Sequence, residues 1–206
     1  MMARSKSSRQ WMQEHFQDEY VKKAQIQGYR SRAVFKLMEI QDKDKIIRPG
    51  MNVVDLGAAP GGWSEYVRKI LAKKDKVIAL DLLAIEPIEG VEFIQGDFRE
   101  DEVLDELYRV LDGEPVDLLL SDMAPNMSGN KAMDQPRAIY LGELALDTAQ
   151  TVLTKGGTML IKMFQGAGFD AYLNDVKKYF NSVTIRKPKA SRARSNEVYI
   201  LAKGFK

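Results

Sequence analysis

The chain of 206 residues contains no cysteine and a single histidine, His15. Without cysteine the protein cannot form a disulfide bond or a thiolate metal site. The histidine lies in a polar stretch far from any other ligand type, so we interpret it as a solvated residue of an N-terminal helix. These absences exclude a credible catalytic zinc site, and we predict a protein that uses no metal.

Long apolar runs are missing as well. No run approaches the ~20 residues that span a bilayer, and the start, MMARSKSSRQ, is polar and basic rather than apolar like a secretory signal. We therefore expect a soluble, cytoplasmic protein that binds no membrane. The composition, 45% hydrophobic and 29% charged, predicts one globular domain.

The net charge of +2 conceals an uneven distribution along the chain. Residues 1–48 carry a net charge of +5 and residues 186–206 carry +6, whereas residues 49–185 carry −9. Basic termini can be solubilising tails, or they can form one electropositive surface if the fold brings them together. Charge alone does not decide between these two possibilities.

Five apolar runs alternate with amphipathic segments, and each run predicts a buried parallel strand. The runs are MNVVDLG, KVIALDL, VEFIQGD, VDLLLSD and TMLIKMF. Helical spacing is found at residues 10–26, 30–43, 62–73, 101–112, 136–154 and 168–180. Pro136 suits a first helical turn. Two more strands, SVTIRK and EVYILAKG, follow without a helix between them, so the last should run antiparallel at or near an edge. The pattern predicts an α/β, Rossmann-like fold with a seven-stranded, mostly parallel sheet, an antiparallel final strand and helices on both faces.

A glycine-rich turn, DLGAAPGGW at residues 55–63, follows the first predicted strand. It matches neither the dinucleotide fingerprint nor the phosphate-binding loop, and tight packing alone is another explanation for its glycines. Asp81 and Asp97 end the next two strands, where ligands of open α/β sheets bind. Asp81 could accept hydrogen bonds from two ribose hydroxyls, and Asp97 could accept one from an adenine amine. Each aspartate could instead cap a turn or a helix. Together these features favour S-adenosylmethionine as the ligand.

Polar residues also close the fourth and fifth predicted strands. Lys162 interrupts the apolar run TMLIKMF, where a buried ammonium group needs a carboxylate partner or a route to water. Asp122 closes the neighbouring strand. Glu197 begins the final strand, whose start lies at the same sheet edge if that strand is antiparallel. We therefore expect these three side chains to converge beside the cofactor.

Six motifs, in order and covering nearly the whole chain, resemble the RrmJ/FtsJ family of ribose 2′-O-methyltransferases acting on RNA. They are SRAVFKL at 31–37, DLGAAPGGW at 55–63, QGDF at 95–98, SDMAPNMSG at 121–129, IKMFQG at 161–166 and SRARSNEVYI at 191–200. The resemblance implies the methyltransferase form of the Rossmann-like fold and a catalytic tetrad of Lys36, Asp122, Lys162 and Glu197. It also implies contacts with S-adenosylmethionine at Gly61, Trp63, Asp81, Asp97 and Asp122.

The resemblance implies a substrate too. A short chain, with a basic N-terminal extension over residues 1–28 and a catalytic core over residues 29–206, is similar to bacterial members that methylate 23S ribosomal RNA in the large ribosomal subunit. The target would be a uridine 2′-hydroxyl in the A loop. Related members modify transfer RNA or messenger RNA caps, so a transfer RNA 2′-O-methyltransferase is an alternative. We expect a monomer.

For the mechanism we hypothesise that Lys162 accepts the hydroxyl proton while the ribose oxygen attacks the sulfonium methyl in line. Lys36 and Glu197 would position the ribose and the lysine. Two other classes compete with this interpretation: a small-molecule methyltransferase, and a non-catalytic RNA-binding protein with a vestigial cofactor pocket. A small-molecule methyltransferase would not require basic termini around the cleft. A non-catalytic RNA-binding protein would not need to retain the tetrad.

RNA has to reach this cleft through basic side chains. The candidates are Arg30, Arg32, Arg192 and Arg194, with Arg4, Lys6 and Arg9 near the N-terminus. Phosphate contacts of this kind position a strand without reading its sequence. If these residues form one patch beside Lys162, RNA affinity should fall steeply with salt.

Overall fold

One seven-stranded sheet organises the chain in a computed structural model, which describes residues 18–192 and 194–206. The elements, in chain order, are α1 (Glu19–Ile26), α2 (Val34–Asp44), β1 (Val53–Leu56), α3 (Gly62–Ile70), β2 (Val77–Asp81), β3 (Glu92–Gln95), α4 (Asp101–Leu111), β4 (Val116–Ser121), α5 (Lys131–Val152), β5 (Leu153–Phe164), α6 (Phe169–Tyr179), β6 (Phe180–Arg186) and β7 (Glu197–Phe205). The predictions for His15, Arg4, Lys6, Arg9 and the first half of the helix at 10–26 fall outside the described residues.

The strands lie in the order β3-β2-β1-β4-β5-β7-β6. Strands β1 to β5 are mutually parallel, whereas β7 runs antiparallel to both of its neighbours, β5 and β6. The predicted fold class is therefore confirmed, and the final strand lies one position in from the edge. Within the described residues, no helix is long and apolar enough to cross a membrane.

Two apolar layers cover the sheet because alternate strand residues point to opposite faces. In β4, Leu118 and Leu120 pack in the buried cluster formed with helices α2 and α3. Leu119, between them, packs in the cluster formed with helices α4, α5 and α6. Near-continuous apolar runs such as VDLLLS follow from this arrangement, since a strand covered on both faces has no solvent side.

Two local predictions were wrong. The run VEFIQGD does not form a buried strand, because β3 lies at the edge of the sheet and Ile94 is its one buried residue. Helix α5 begins at Lys131 rather than near Pro136, which lies inside the helix. The side chain of Asn130 accepts a hydrogen bond from the backbone of Ala132 at 3.1 Å, and this cap sets the earlier start.

The turn between β1 and α3 requires glycine for steric reasons. Gly57 has φ +74°, and a Cβ atom there would lie 2.2 Å from the Cγ atom of Met123. The second residue after β4, Met123, thus packs directly against the backbone that leaves β1. Any side chain at position 57 would force the two strand ends apart.

Candidate active site

The carboxyl ends of β4 and β5 and the start of β7 meet at one edge of the sheet. Asp122 directly follows β4, Lys162 lies near the end of β5, and Glu197 is the first residue of β7. The antiparallel register sets Glu197 opposite Phe164 and Tyr199 opposite Lys162. The inferred direction of the final strand is confirmed, and it is this direction that brings residue 197 to the end of β5.

The four residues of the predicted tetrad form a chain of alternating charge. The Nζ atom of Lys162 lies 3.2 Å from Oδ1 of Asp122 and also donates to the backbone oxygen of that residue. The Nζ atom of Lys36, from α2, lies 3.9 Å from the same Oδ1 and 2.7 Å from Oε1 of Glu197. The four side chains are 8% to 17% exposed, so these charges interact with little screening by water.

Tyr199 is a fifth residue of this cluster, and the sequence analysis missed it. Its hydroxyl donates to Oδ1 of Asp122 at 2.5 Å, and the Nζ atom of Lys36 lies 5.6 Å from its ring centroid. A signal was present, because residues 197 and 199 are two apart on one strand and therefore face the same side. Burial, followed by the nearby Asp122 carboxylate, raises the pKa of Tyr199 well above its ordinary value, so the phenol stays a donor.

Asp122 is the electrostatic centre of the cluster. Burial raises the pKa of this carboxyl group, but the positive charge of Lys162, followed by that of Lys36, outweighs the effect of burial. With the Tyr199 hydrogen bond added, the pKa lies below the ordinary value for an aspartate. The side chain is therefore a carboxylate that holds two ammonium groups and one phenol around a single oxygen atom.

Glu197 is oriented by the loop that precedes it. The hydroxyl of the buried Ser191 donates to its Oε1 atom at 2.9 Å, the same oxygen that Lys36 contacts. The loop is held in turn by Glu39 of α2, whose carboxylate accepts from the backbone of Lys189 at 2.7 Å and of Ala190 at 2.9 Å. Helix α2 thus supplies one member of the cluster and fixes the loop that aligns another.

A cavity of about 660 Å³ opens on one side of Asp122. Its walls come from the ends of β1 to β4 and from α5, and they include Gly57, Asp81, Asp97, Phe98, Asp122, Met123, Arg137 and Tyr140. This is the position at which open α/β sheets bind ligands. In the part of the chain that the structure describes, no group of three or more His, Cys, Asp or Glu side chains could hold a metal ion.

The two strand-end aspartates on the rim of this cavity already have protein partners. Asp81 accepts from the backbone of Ala59 and of Leu83, each at 2.8 Å. Asp97 forms a salt bridge with Arg99, whose hydrogen bonds lower the pKa of this carboxyl group. Each oxygen of Asp81 has one of these donors and a second lone pair for a ligand, whereas Asp97 would accept from a ligand in exchange for a contact with the exposed Arg99 side chain.

Gly61 and Trp63 do not lie among the described residues that line the cavity. The indole of Trp63 is buried, donates to the backbone oxygen of Ala33 at 2.8 Å and lies 5.8 Å from the Tyr199 ring. Gly61 has φ +100°, and a Cβ atom there would lie 2.9 Å from Ile88. The structure thus gives both residues packing roles, and their predicted cofactor contacts stay predictions.

Asp55, near the end of β1, is a buried carboxyl group. Its Oδ2 atom accepts from the Ser64 hydroxyl at 2.6 Å, whereas Oδ1 has no partner among the described residues. Burial is the main cause that raises the pKa of Asp55, from 3.8 to about 7, although the Ser64 hydrogen bond opposes it. The neutral acid is therefore the form that the fold prefers.

We expect Asp55→Asn to make stability less dependent on pH. Because the folded pKa is raised, the stability that the neutral acid contributes is present below pH 3.8 and is lost as the pH rises to about 7. The wild type should lose on the order of 4 kcal/mol over this range relative to the variant. Chemical unfolding at several pH values measures the effect. Asp105→Asn, at an exposed position on α4, is the control, and parallel curves for Asp55→Asn and wild type would refute the assignment.

A second cavity, of about 430 Å³, opens on the other side of the tetrad. It is lined by Arg32, Ala33, Lys36, Arg192, Arg194, Ser195 and Glu197. Lys36 and Glu197 thus face this cavity, whereas Asp122 faces the larger one. Arg32, from the first basic segment, meets Arg192 and Arg194, from the last, so the described parts of the two segments share one electropositive surface.

Arg30 lies apart from these three arginines. Its guanidinium group donates to the backbone oxygens of Pro60 at 3.4 Å, Glu86 at 2.8 Å and Pro87 at 3.1 Å, and its Nε atom lies 3.7 Å from Glu65. These contacts tie the loop after β2 to the glycine-rich turn. The structure therefore gives Arg30 a scaffolding role, and its predicted contact with RNA stays a prediction.

A Rossmann-like sheet with a large cavity at the carboxyl ends of its strands, beside a buried lysine and carboxylate, is typical of the class of α/β enzymes that bind a ligand at this edge. The model of the FtsJ-like methyltransferase family matches residues 29–205. The chain belongs to this family, and the resemblance seen in its motifs is confirmed.

Two curated relatives named ribosomal RNA large subunit methyltransferase E are similar over almost the whole chain. The relative from Legionella pneumophila (strain Corby) is 57% identical over 204 residues, which cover 99% of each chain. The relative from Cellvibrio japonicus (strain Ueda107) is 56% identical and covers 99% of this chain and 97% of its own. A crystal structure from Plasmodium falciparum, assigned as a ribosomal RNA methyltransferase, is 31% identical, with a TM-score of 0.75, and covers 86% of this chain and 98% of that one.

Proposed function

We propose that the protein transfers a methyl group from S-adenosylmethionine to a ribose 2′-hydroxyl of large-subunit ribosomal RNA, at a uridine in the A loop of 23S ribosomal RNA. The observation that carries the proposal is the ion-paired tetrad: Asp122, which Lys162 contacts, lines a nucleoside-sized cavity, and Lys36 and Glu197 line an arginine-lined one. The names of the two relatives support the ribosomal substrate. The 2′-hydroxyl as acceptor is supported by the tetrad.

The larger cavity fits the cofactor by its chemistry. Its rim carries two carboxylates, Asp81 and Asp97, that can accept from ribose hydroxyls and from an adenine amine, and Phe98 provides an apolar wall. Gly57 lines the same cavity, and its missing Cβ atom makes room for Met123, another lining residue. S-adenosylmethionine, when bound, supplies a methyl group already activated on a sulfonium sulfur, so the protein has to align and deprotonate the acceptor.

Lys162 is the general base of the proposed reaction. Its amine must be neutral to accept the 2′-hydroxyl proton, so the ammonium group paired with Asp122 first releases a proton to water. It becomes an ammonium group again beside the Asp122 carboxylate as the substrate proton arrives. The 3.2 Å contact between Nζ and Oδ1 stabilises the charge that develops and fixes the direction of the amine. Because the lysine side chain is 8% exposed, bulk water competes little for this proton.

Lys36 and Glu197 position the acceptor in this proposal. They form a 2.7 Å ion pair that faces the arginine-lined cavity, from which an RNA ribose would enter. Both described contacts of the Glu197 carboxylate, with Lys36 and with Ser191, are made by its Oε1 atom. The pair can thus hydrogen bond to ribose oxygens without giving up its own contact.

Salt dependence tests whether the arginine-lined cavity binds RNA phosphates. We expect the double variant Arg192→Gln/Arg194→Gln to reduce the magnitude of the slope of log K against log salt by up to about 1.4, since each single-stranded phosphate contact contributes ~0.7. Filter binding of an A-loop RNA hairpin at several salt concentrations measures the slope.

The matched control for that variant is Arg109→Gln/Lys178→Gln. Both residues lie in the last turns of their helices, α4 and α6, and carry exposed side chains. Their removal changes the net charge equally. If both double variants changed the slope by the same amount, the arginines would be acting through net charge and not through phosphate contacts.

The function itself is tested by mapping 2′-O-methyl groups in total RNA from cells with and without the gene. We expect one uridine in the A loop of 23S ribosomal RNA to lose its methyl group. Loss confined to transfer RNA would identify the alternative substrate and leave the chemistry intact. If no methyl group were lost although the protein still bound RNA, a non-catalytic RNA-binding role would replace the proposal.

A further inference from the structure

A carboxylate outside the region matched by the family model contacts the arginines of the second cavity. Oδ2 of Asp18 forms a salt bridge with NH1 of Arg32 and lies 3.9 Å from Nε of Arg192. Its Oδ1 atom caps α1 by accepting from the backbone of Tyr20 at 3.0 Å. The Asp18 side chain is 11% exposed and does not line the cavity, so it holds the arginines from their protein side.

Helix α1 keeps Asp18 in place through apolar contacts. Ala24 packs in a buried cluster with Phe35 of α2 and with Ala190. The ring of Tyr20 lies 5.6 Å from that of Phe35. Ala190 belongs to the loop that carries Arg192, so α1 packs against both segments that bring arginines to the cavity.

Arg32 is held at both ends of its guanidinium group. NH1 contacts Asp18, NH2 donates to the backbone oxygen of Ala190, and the buried Nε atom has no partner. A guanidinium group restrained at two nitrogens loses little further freedom when it binds a phosphate, and such preorganisation strengthens binding. Removing the Asp18 charge would remove the restraint on NH1 of Arg32.

We propose that Asp18 is a positioning residue of the RNA site: it orients Arg32 and Arg192 toward an RNA phosphate, so that α1 is part of the substrate-binding machinery. This inference rests on the proposed function, because the ligand of the arginines is taken to be the substrate RNA. It extends the site into a segment before residue 29, which the sequence analysis assigned to a basic extension.

The sign of the effect makes the proposal testable. Removing a negative charge from an RNA-binding surface ordinarily strengthens binding, because the surface becomes more positive. If Asp18 positions the arginines, Asp18→Asn has the opposite effect. Asparagine caps helices as well as aspartate does, so α1 should remain folded in this variant. Glu19→Gln, one residue further on, removes the same charge from an exposed position and is the control.

We expect Asp18→Asn to raise KM for the RNA hairpin about five- to tenfold, with kcat, the Kd for S-adenosylmethionine and the melting temperature near the wild-type values. Glu19→Gln should leave KM unchanged or lower it. A KM for Asp18→Asn equal to or below that of Glu19→Gln would overturn the proposal. If the wild type did not methylate RNA, the proposed function would fail instead, and the Kd of the two variants for the hairpin would still decide the role of Asp18.

Discussion

Lys162→Ala is expected to lower the turnover of methyl transfer by about 10²–10⁴-fold, the usual contribution of a positioned general base. The affinity for S-adenosylmethionine should stay near the wild-type value, because Lys162 does not belong to the described lining of the larger cavity. Single-turnover transfer of a labelled methyl group measures the chemical step, and calorimetry measures cofactor binding.

Two further variants isolate the role of the amine. Lys162→Arg keeps a positive charge beside Asp122, but a guanidinium group cannot give up its proton in a protein, so turnover should be lost here as well. Lys155→Ala removes an exposed lysine from the same strand, β5, and should have wild-type turnover. Wild-type turnover in Lys162→Ala, or substantial turnover in Lys162→Arg, would remove the lysine from the role of base.

Asp122→Ala is expected to cost both activity and stability. The substitution leaves the ammonium groups of Lys36 and Lys162 without their shared carboxylate and the buried Tyr199 hydroxyl without an acceptor. Breaking a buried charge pair from one side typically costs about 3–5 kcal/mol of unfolding free energy. The wild-type pKa of Asp122 is lowered, so its contribution is present at neutral pH and is lost as the pH falls through that lowered pKa. Urea unfolding at neutral and acidic pH measures the difference.

A double variant separates charge repulsion from a general loss of packing. Lys162→Ala/Asp122→Ala removes one of the two uncompensated charges, so it should be more stable than the sum of the single effects predicts. Asp175→Ala is the control, because Asp175 forms an exposed ion pair with Lys178 on α6 and should show little change. Additive single effects in the double variant would mean that Asp122 and Lys162 do not interact energetically.

The sequence predicted those site features that depend on sheet topology. Parallel strands end at one edge, so Asp122 and Lys162 were expected to be neighbours, and the direction of the final strand added Glu197. Lys36 was assigned to the site only through the resemblance, because it lies in a helix before the sheet and the sheet topology does not predict its position. Helix α2 nonetheless brings its ammonium group to the centre of the cluster.

The sequence did not predict those side-chain contacts that depend on packing between distant parts of the chain. Nothing in the pattern shows that Trp63 donates to Ala33 rather than facing a ligand, or that Arg30 is engaged by three backbone oxygens. These outcomes depend on loops that approach from distant parts of the chain. Tyr199 is different: its spacing from Glu197 was visible and predicts that both share a face of β7.

The place of β7 in the sheet has a consequence for the order in which the protein becomes functional during synthesis. This strand follows β5 and β6 in the chain, yet it lies between them in the sheet, and among the described strands it is the one neighbour of β6. A nascent chain can assemble the wall of the larger cavity from β1 to β4 while Lys36 still lacks its partner Glu197. We therefore expect chains that stop before residue 197 to be inactive, because they lack the proposed partner of Lys36 and the strand that joins β5 to β6.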